Sequence, residues 1–268
     1  MKICRYKYEG EAYSGIIEDE MVIEVQGNFY DEILPNDQTY SLAEIDLLPP
    51  SNPTKIIAIG INYKVHARHG YTIPDVPLIF LKPPSAVIGH NNNIVFPASS
   101  RQVDFEGELG VVIGSKAKNI SADEADDYIL GYTCANDVTA RDIQDKEGHF
   151  GRAKGFNTFA PVGPWIETEL DPANVLLETY LNGQRKQSSN TSDMAFAVPD
   201  IVAFVSEIMT LFPGDIIITG TPDGMGPMSV GDTVEVKIEG IGTLRNTVVG
   251  SDDGLESRQE QDEAEHDI

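Results

Sequence analysis

Two glutamates lie one residue apart in a segment that otherwise resembles a buried strand. The segment reads VDFEGELGVVIG from Val103 to Gly114 and contains Glu106 and Glu108. Because side chains alternate faces along a strand, both carboxylates point to the same face. A solvent-exposed face, arginine partners or a divalent cation would each accommodate such a pair. Carboxylate oxygens suit Mg²⁺, Mn²⁺ and Ca²⁺, although the E-x-E pattern alone favours a solvated face.

A second group of chemically capable residues follows in the segments GYTCANDVTARDIQ and RAKGF. Asp137 ends an apolar stretch at a turn, where its carboxylate is placed to complete a metal site. Arg141, Gln144 and Lys154 are donors suited to an anionic substrate. The structural alternative is that Asp137 caps a short turn and that Arg141 pairs with Asp142 or another neighbour.

Two more segments place single polar residues near strand ends. His66 follows a strand end in GINYKVHARHGY, where a lone histidine is more often structural than catalytic. His66 and His69 are three residues apart and are alternatively able to share a metal on one helical turn. Thr221 lies in TGTPDGMG, whose glycines lack the spacing of a phosphate-binding loop. A tight loop that brings Thr221 close to a ligand is the functional interpretation.

The elements that must position these side chains are mostly strands. Apolar segments with strand character recur after Lys55, among them KIIAIGINY, PLIFLKP and DIIITGTP. Asn182 and Gly183 predict a tight turn, and VPDIVAFVSEIMTLFPGD predicts a helix that begins near Pro199. The apolar stripe of that helix comprises Ile201, Val202, Val205, Ile208 and Met209. Because strands do not alternate regularly with helices, the sequence predicts a β-rich α+β fold rather than a doubly wound sheet.

Changes in composition divide the chain into three parts. Alternating segments such as SGIIEDEMVIEVQG predict a small N-terminal β domain over residues 1–52, and the proline-rich LLPPSNPT suits a linker. Residues 53–250 form the main domain, which contains every candidate residue. Residues 251–268 include eight acidic residues and one arginine, so we expect a disordered acidic tail.

The charge balance restricts the class of partner. The 268-residue chain contains 43 acidic and 19 basic residues, which gives a formal net charge of −24. A polyanion repels nucleic acids and anionic membranes, so we expect neither as a partner. The acidity favours a surface suited to high salt, and general anionic solubility is the alternative.

The sequence predicts a cytoplasmic protein. No apolar stretch is long enough to span a bilayer, and MKICRYKYEGEAY lacks the apolar core of a signal peptide. Cys4 and Cys134 are the only cysteines, too few for a disulfide framework or a thiolate zinc site. We therefore expect two free thiols.

Several motifs occur in the order found in the fumarylacetoacetate hydrolase family. They are GINYKVHA, FEGELGVVIG, GYTCANDVTARDIQ, RAKGFNTF and MTLFPGDIIITGTPDGMG. The chain resembles that family from Lys55 to Val249, and its N-terminal stretch resembles a small domain that often comes first. The resemblance implies a mixed β-roll, usually dimeric, that binds Mg²⁺ or Mn²⁺ and acts on 2-oxo acids and β-dicarbonyl compounds. We therefore expect a homodimer with a small 2-oxo acid substrate.

Matching positions one by one, the resemblance implies a role for each candidate. The implied metal ligands are Glu106, Glu108 and Asp137. The residues implied to contact substrate are Arg141, Gln144, Lys154 and Thr221. His66 is the implied general base, and Lys154 is grouped with it as catalytic.

The chain departs from the family pattern at three positions. His69 stands where the family commonly has a glutamate that polarises the catalytic histidine, which weakens the expectation of efficient C–C hydrolysis. His69 is also placed to act as a second base or to lower the pKa of His66. Asn157 and Ala160 replace a usual aspartate and cysteine.

The favoured function is C–C bond hydrolysis of an acylpyruvate or a fumarylacetoacetate-like compound by a Mg²⁺- or Mn²⁺-dependent enzyme. In this mechanism the metal acts as a Lewis acid toward the 2-oxo acid. Other reactions stay open: oxaloacetate decarboxylation, isomerisation of hydroxymuconate or hydroxyheptadienedioate, and dehydration of 2-keto-3-deoxy sugar acids. Non-catalytic binding of a 2-oxo acid is the alternative from another class.

Overall fold

Strands predominate over helices, which confirms the predicted fold class. The fold is that of a computed structural model of the chain. It describes residues 1–31, 33–70 and 72–251, with the backbone alone at residues 68 and 69. The predicted acidic tail lies outside the described residues apart from Ser251.

Strands and helices are numbered separately along the chain. The strands of the N-terminal part are β1 (Lys2–Tyr8), β2 (Glu11–Glu18), β3 (Met21–Gln26), β4 (Leu34–Ser41) and β5 (Asp46–Leu47). The strands of the main part are β6 (Ile56–Gly60), β7 (Leu78–Lys82), β8 (Val87–Ile88), β9 (Asn93–Phe96), β10 (Val103–Phe105), β11 (Gly107–Ile113), β12 (Ile129–Asn136), β13 (Thr139–Ala140), β14 (Ala160–Glu167), β15 (Leu176–Leu181), β16 (Gln184–Asn190), β17 (Ile216–Ile218), β18 (Gly226–Met228), β19 (Thr233–Ile238) and β20 (Gly242–Gly250). The α-helices are α1 (Arg141–Glu147), α2 (Gly151–Lys154) and α3 (Val198–Ile208). The 3₁₀ helices are Leu42–Glu44, Lys64–His69, Pro84–Ala86, Ala122–Tyr128 and Thr191–Asp193.

Three sheets hold the described strands. The largest runs in the order β4-β3-β2-β1-β14-β12-β11-β17-β6-β7, with β5 paired to β1 and β8 paired to β14. A five-stranded sheet runs in the order β16-β15-β19-β20-β9, and a three-stranded sheet in the order β13-β10-β18. Most pairings are antiparallel, and β17 with β6 is a parallel exception. This mixed arrangement explains why the strands are not separated by regular helices.

The central strand β11 is buried on both faces, which explains its nearly continuous apolar sequence. Leu109, Val111 and Ile113 pack in one core, which also contains residues of α3 and β19. Val112 points to the opposite face and packs in a second core with residues of β1 and β6. The alternation that defines a strand therefore places β11 between two apolar layers.

Helix α3 covers part of the first core. It begins at Val198 with a proline in its first turn, as predicted, and Ile201, Val202 and Val205 are fully buried. The predicted stripe is wrong at Ile208, which is 55% exposed because the helix ends there. The described part of the chain contains no helix that is long and apolar enough to cross a bilayer.

The hairpin of β15 and β16 confirms the predicted tight turn. Asn182 and Gly183 both have positive φ, 51° and 73°, the conformation that two-residue hairpin turns require. In the N-terminal part, β1 pairs with β14 through Lys2–Glu167 and Ile3–Ile166, so one sheet continues across both parts of the chain. The bounds 1–52 and 53–250 and the homodimer stay predictions.

Candidate active site

The segment that contains the two glutamates is two strands rather than one. β10 ends at Phe105 and belongs to the three-stranded sheet, whereas β11 begins at Gly107 in the large sheet. Glu106 lies at the break, and its N–H donates to Asn136 Oδ1 at 2.9 Å. A Cβ at Gly107 would lie 2.0 Å from Thr179 Oγ1, so any larger residue between the glutamates would force Thr179 or the strand to shift. The break places Glu106 at the junction of two sheets.

Three carboxylates converge at this junction. Ligand oxygens of Glu106, Glu108 and Asp137 lie within 4.8 Å of one another, and all three residues are buried. Asp137 follows the end of β12, and its N–H donates to the carbonyl oxygen of Glu106 at 2.8 Å. The solvated face that the E-x-E pattern alone favoured is therefore wrong, because Glu106 is 5% exposed and Glu108 is 2% exposed.

Lys154 links two of the carboxylates. Its Nζ lies 2.7 Å from Glu106 Oε2, 2.6 Å from Asp137 Oδ2 and 2.7 Å from Thr139 Oγ1. Burial alone would lower the pKa of this amine, but the adjacent carboxylates of Asp137 and Glu106 outweigh burial and raise it. Lys154 is therefore a fixed positive charge in the site.

A second buried lysine, Lys82, was missed by the sequence analysis. It ends strand β7, and its Nζ donates to Asp137 Oδ1 and, at 3.2 Å, to the carbonyl oxygen of Val138. Burial lowers the pKa of Lys82, and the Asp137 carboxylate opposes that effect. Burial would in turn raise the pKa of Asp137, but Lys154 and Lys82 hold it below its usual value. The single signal in the sequence was a lysine at the end of the apolar run PLIFLKP.

Glu108 has a different environment. Its Oε2 accepts the backbone N–H of Gly220 at 2.7 Å, and within the described residues no basic side chain forms an ion pair with it. Burial, followed by the charges of Asp137 and Glu106, raises the pKa of Glu108 well above its usual value. The site therefore contains one buried carboxylate that has no ion-pair partner among the described residues.

This donor set fits a hard divalent cation. Four carboxylates, those of Asp104, Glu106, Glu108 and Asp137, face three cationic side chains, Lys82, Lys154 and Arg141, which leaves one negative charge among them. Mg²⁺ and Mn²⁺ prefer oxygen ligands of this kind. Glu106, Glu108 and Asp137 would hold the ion, as the resemblance implied.

Arg141 connects the carboxylates to a cavity. Its Nε donates to Asp104 Oδ2 at 2.8 Å, its Nη1 to Gln144 Oε1 at 3.2 Å, and its Nη2 to Glu106. The alternative pairing with Asp142 is absent from the described structure, since Asp142 accepts from Ser100 Oγ at 2.6 Å. The cavity has a volume of about 440 Å³, and its lining includes His66, Arg141 and Gln144. Three of the predicted residues therefore meet on one side of the site.

Thr221 lies in the interior rather than at the cavity surface. Its Oγ1 donates to the carbonyl oxygen of Gly107 at 2.9 Å and accepts from Gln187 Nε2 at 2.8 Å. Gln187 Oε1 also accepts the N–H of Gly107 at 3.0 Å. Thr221 and Gln187, a second residue missed from the sequence, hold the glycine between the two glutamates. The side chain of His69 lies outside the described part of the structure.

Comparisons with known proteins identify relatives of this chain. Residues 55–249 match the C-terminal domain of fumarylacetoacetate (FAA) hydrolase, and residues 1–50 match the Rv2993c-like N-terminal domain. Protein MJ1656 of Methanocaldococcus jannaschii is 56% identical over 197 residues, which cover 73% of this chain and 83% of that protein.

Comparison with solved structures also identifies similar proteins. A 5-carboxymethyl-2-hydroxymuconate delta-isomerase from Mycobacterium smegmatis has a TM-score of 0.89 and 43% identity, covering 94% of this chain and 100% of that one. Maleylpyruvate hydrolase from Sphingobium sp. SYK-6, solved with manganese(II) and pyruvate, has a TM-score of 0.79 and 29% identity. The match covers 93% of this chain and 99% of that one. The similar folds therefore include an isomerase and a hydrolase.

Proposed function

The chain belongs to the fumarylacetoacetate hydrolase family, and from that premise we propose that it is a Mg²⁺- or Mn²⁺-dependent isomerase of enolisable 2-oxo acids. The isomerase from Mycobacterium smegmatis supports proton transfer over the C–C hydrolysis that the sequence analysis favoured. His69, in place of the family glutamate, supports the same choice, because that glutamate is tied to hydrolysis.

The observation that carries the proposal is the convergence of three buried carboxylates, of which Glu108 has no ion-pair partner among the described residues. A divalent cation at Glu106, Glu108 and Asp137 would supply a Lewis acid that favours negative charge on the 2-oxo oxygen of the substrate. Lys154 and Lys82 hold Asp137 in place and keep the surrounding charge close to neutral. Catalysis through the enol form needs this kind of fixed electrostatic environment.

The cavity residues provide the remaining functions. Arg141 and Gln144 lie on one face of α1 and are placed to orient the substrate carboxylate. His66 is buried, lines the same cavity, and is the proposed proton carrier. For a 2-hydroxy-2,4-dienoate, the hydroxyl proton leaves oxygen and one proton is added to a chain carbon, giving the 2-oxo isomer. No atom is gained or lost overall.

The test compares two reactions in one preparation. The ketonisation of 2-hydroxypenta-2,4-dienoate and the hydrolysis of acetylpyruvate, both monoacids, are measured with Mg²⁺, with Mn²⁺ and after chelation. We expect kcat/KM for ketonisation, corrected for the spontaneous reaction, to exceed that for hydrolysis by at least about tenfold. Both activities should disappear on chelation and in Glu108→Gln.

Each other outcome identifies a different function. Faster hydrolysis would reverse the proposal and restore the reaction first favoured from the sequence. Binding of pyruvate to the Mn²⁺-loaded protein without turnover of either substrate would indicate a non-catalytic 2-oxo acid receptor. His69→Glu provides a further comparison, since we expect it to raise hydrolysis more than ketonisation.

A further inference from the structure

The cavity beside the metal site has an acidic lining. Among the described residues, the charged side chains that line it are those of three aspartates, Asp104, Asp145 and Asp223, and of Arg141. Arg141 lines the cavity and contacts Glu106, so a substrate held by its 2-oxo carboxylate near the metal would extend the rest of its chain into this space. The charge of the lining therefore bears on which chain fits.

The positive charge of Arg141 is already balanced. Its guanidinium donates to Asp104 at 2.8 Å and to Glu106 by a second nitrogen. A guanidinium is always charged in proteins, and these two ion pairs hold it in place. Arg141 is thus placed to contact one substrate carboxylate near the metal, but it leaves no unbalanced charge for a second.

With a divalent ion bound, the metal site would be able to balance one more negative charge. A divalent ion with Lys82 and Lys154 supplies one positive charge more than Glu106, Glu108 and Asp137 carry. The carboxylate next to the 2-oxo group of the substrate balances that charge. A second carboxylate, further along the substrate, would find no counter-charge among these groups.

Asp145 is placed to interact with a charge on the substrate chain beyond the 2-oxo carboxylate. It lies one helical turn after Arg141 on α1, so both side chains lie on the same helix face. It is exposed and lines the cavity, and within the described residues no basic side chain forms an ion pair with it. Its carboxylate repels an anionic chain and is able to accept hydrogen bonds from substrate hydroxyls.

We infer that the enzyme prefers 2-oxo acids whose chain is uncharged or hydroxylated beyond the 2-oxo carboxylate, and that Asp145 is a specificity-determining residue against a distal carboxylate. This inference rests on the proposed function for the identity of the reacting end. The preferred substrate inferred here differs from that of the Mycobacterium smegmatis isomerase, whose name gives a muconate as its substrate.

The test uses substrates that differ in one carboxylate. Ketonisation of 2-hydroxypenta-2,4-dienoate is compared with that of 2-hydroxymuconate, which carries an additional terminal carboxylate. We expect wild-type kcat/KM to favour the monoacid by about tenfold, the order that two nearby like charges produce at a protein surface. Asp145→Asn should reduce the preference, and Asp145→Lys should reverse it. The preference should also decrease as ionic strength rises.

A binding measurement separates this inference from the proposed function. The affinities of 2-oxopentanoate and 2-oxoglutarate for the Mn²⁺-loaded protein are measured by calorimetry, since these ligands differ by a terminal methyl and a carboxylate. Tighter binding of 2-oxopentanoate that reverses in Asp145→Lys supports the inference even if neither diene is turned over. Turnover with equal preference in wild type and Asp145→Lys would overturn the inference and leave the proposed function intact.

Asp37→Asn is the matched control. Asp37 is exposed on β4 and does not line the cavity, so its substitution changes the net charge of the protein by the same amount as Asp145→Asn. We expect Asp37→Asn to leave unchanged both the kcat/KM ratio of the two dienes and the affinity ratio of the two 2-oxo acids. An equal shift in Asp37→Asn and Asp145→Asn would assign the preference to the net charge of the protein and overturn the role of Asp145.

Discussion

The ammonium group of Lys82 donates a hydrogen bond to Asp137, which joins the edge strand β7 to one of the three converging carboxylates. Both side chains are almost fully buried, with 0% and 2% of their surface exposed. Removing Lys82 would leave Asp137 with one buried ammonium partner, Lys154, in place of two. Lys82 is therefore expected to affect the stability of the metal-free protein and its response to metal.

Lys82→Met should lower the free energy of unfolding of the metal-free protein, by less than the roughly 3 kcal/mol of a fully broken buried ion pair, because Lys154 still compensates Asp137. The variant leaves a more negative group of carboxylates, so Mn²⁺ should stabilise it by more than it stabilises the wild type. Denaturant unfolding with and without saturating Mn²⁺ measures both quantities.

Lys55→Met is the control for this prediction. Lys55 pairs with the fully buried carboxylate of Asp215, outside the candidate active site. We expect a loss of stability in this variant as well, but a Mn²⁺ response equal to that of the wild type. Equal Mn²⁺ responses in Lys82→Met and Lys55→Met would contradict a role for Lys82 in the charge of the metal site.

Glu108→Gln should stabilise the metal-free protein while it removes metal binding. The raised pKa of Glu108 means that folding disfavours its charged form, so this residue lowers stability as pH rises above the ordinary glutamate range. Glutamine has no charge, and its amide oxygen retains the hydrogen bond from Gly220. We expect a higher Tm than wild type at neutral pH without metal, and no increase in Tm with Mn²⁺.

Glu178→Gln is the control for this prediction and should change Tm in the opposite direction. The hydrogen bond from Arg185, at 2.7 Å, lowers the pKa of Glu178, so its charged form contributes stability above the ordinary glutamate range. Glu178 lies on β15 of the five-stranded sheet and is not one of the three converging carboxylates, so its substitution should lower Tm and leave metal binding unchanged. If both glutamine variants moved Tm in the same direction, the environment assigned to Glu108 would be wrong.

Local sequence patterns predicted the elements whose cause is local. The turn at Asn182 and Gly183 follows from the positive φ that these residue types tolerate, and α3 follows from its apolar spacing. The convergence of Glu106, Glu108 and Asp137 was predicted as well, but it needed the order of several motifs rather than one pattern.

The partners that act across the fold were not predictable in this way. Lys82 meets Asp137 across 55 residues of sequence, and Gln187 reaches Gly107 across 80. Periodicity indicates which face of a strand is buried, but it does not indicate which distant side chain lies opposite. The break at Glu106 was hidden for the same reason, because β10 and β11 join different sheets through strands that lie far away in sequence.

Metal affinity should increase with pH. Burial raises the pKa of Glu108, so in the metal-free protein this carboxyl retains its proton above the ordinary value, and the proton must leave before the oxygen binds an ion. Between the ordinary and the raised pKa, each increase in pH removes part of that competition. Calorimetric titration with Mn²⁺ at several pH values, in buffers of different ionisation enthalpy, measures affinity and proton release. Binding that is independent of pH and releases no proton would contradict this prediction.

The glycine between the two glutamates offers a test of how closely β11 packs against β15. A Cβ at Gly107 would lie 2.0 Å from Thr179 Oγ1, and within the described structure that buried hydroxyl has no hydrogen-bond partner. Gly107→Ala should therefore displace the strand and lower both the free energy of unfolding, by about 1–3 kcal/mol, and the affinity for Mn²⁺.

Thr179→Ala should restore much of both losses in the double variant, because it removes the atom that the new Cβ would strike and the nearest remaining atom there is Gln187 Oε1 at 3.1 Å. Gly151→Ala is the control, since a Cβ at Gly151 meets no atom within 4 Å. A double-mutant cycle on stability and Mn²⁺ affinity gives the coupling between positions 107 and 179. Additive effects would show that the alanine at 107 is accommodated elsewhere, whereas strong positive coupling means that this contact sets the spacing of Glu106 and Glu108.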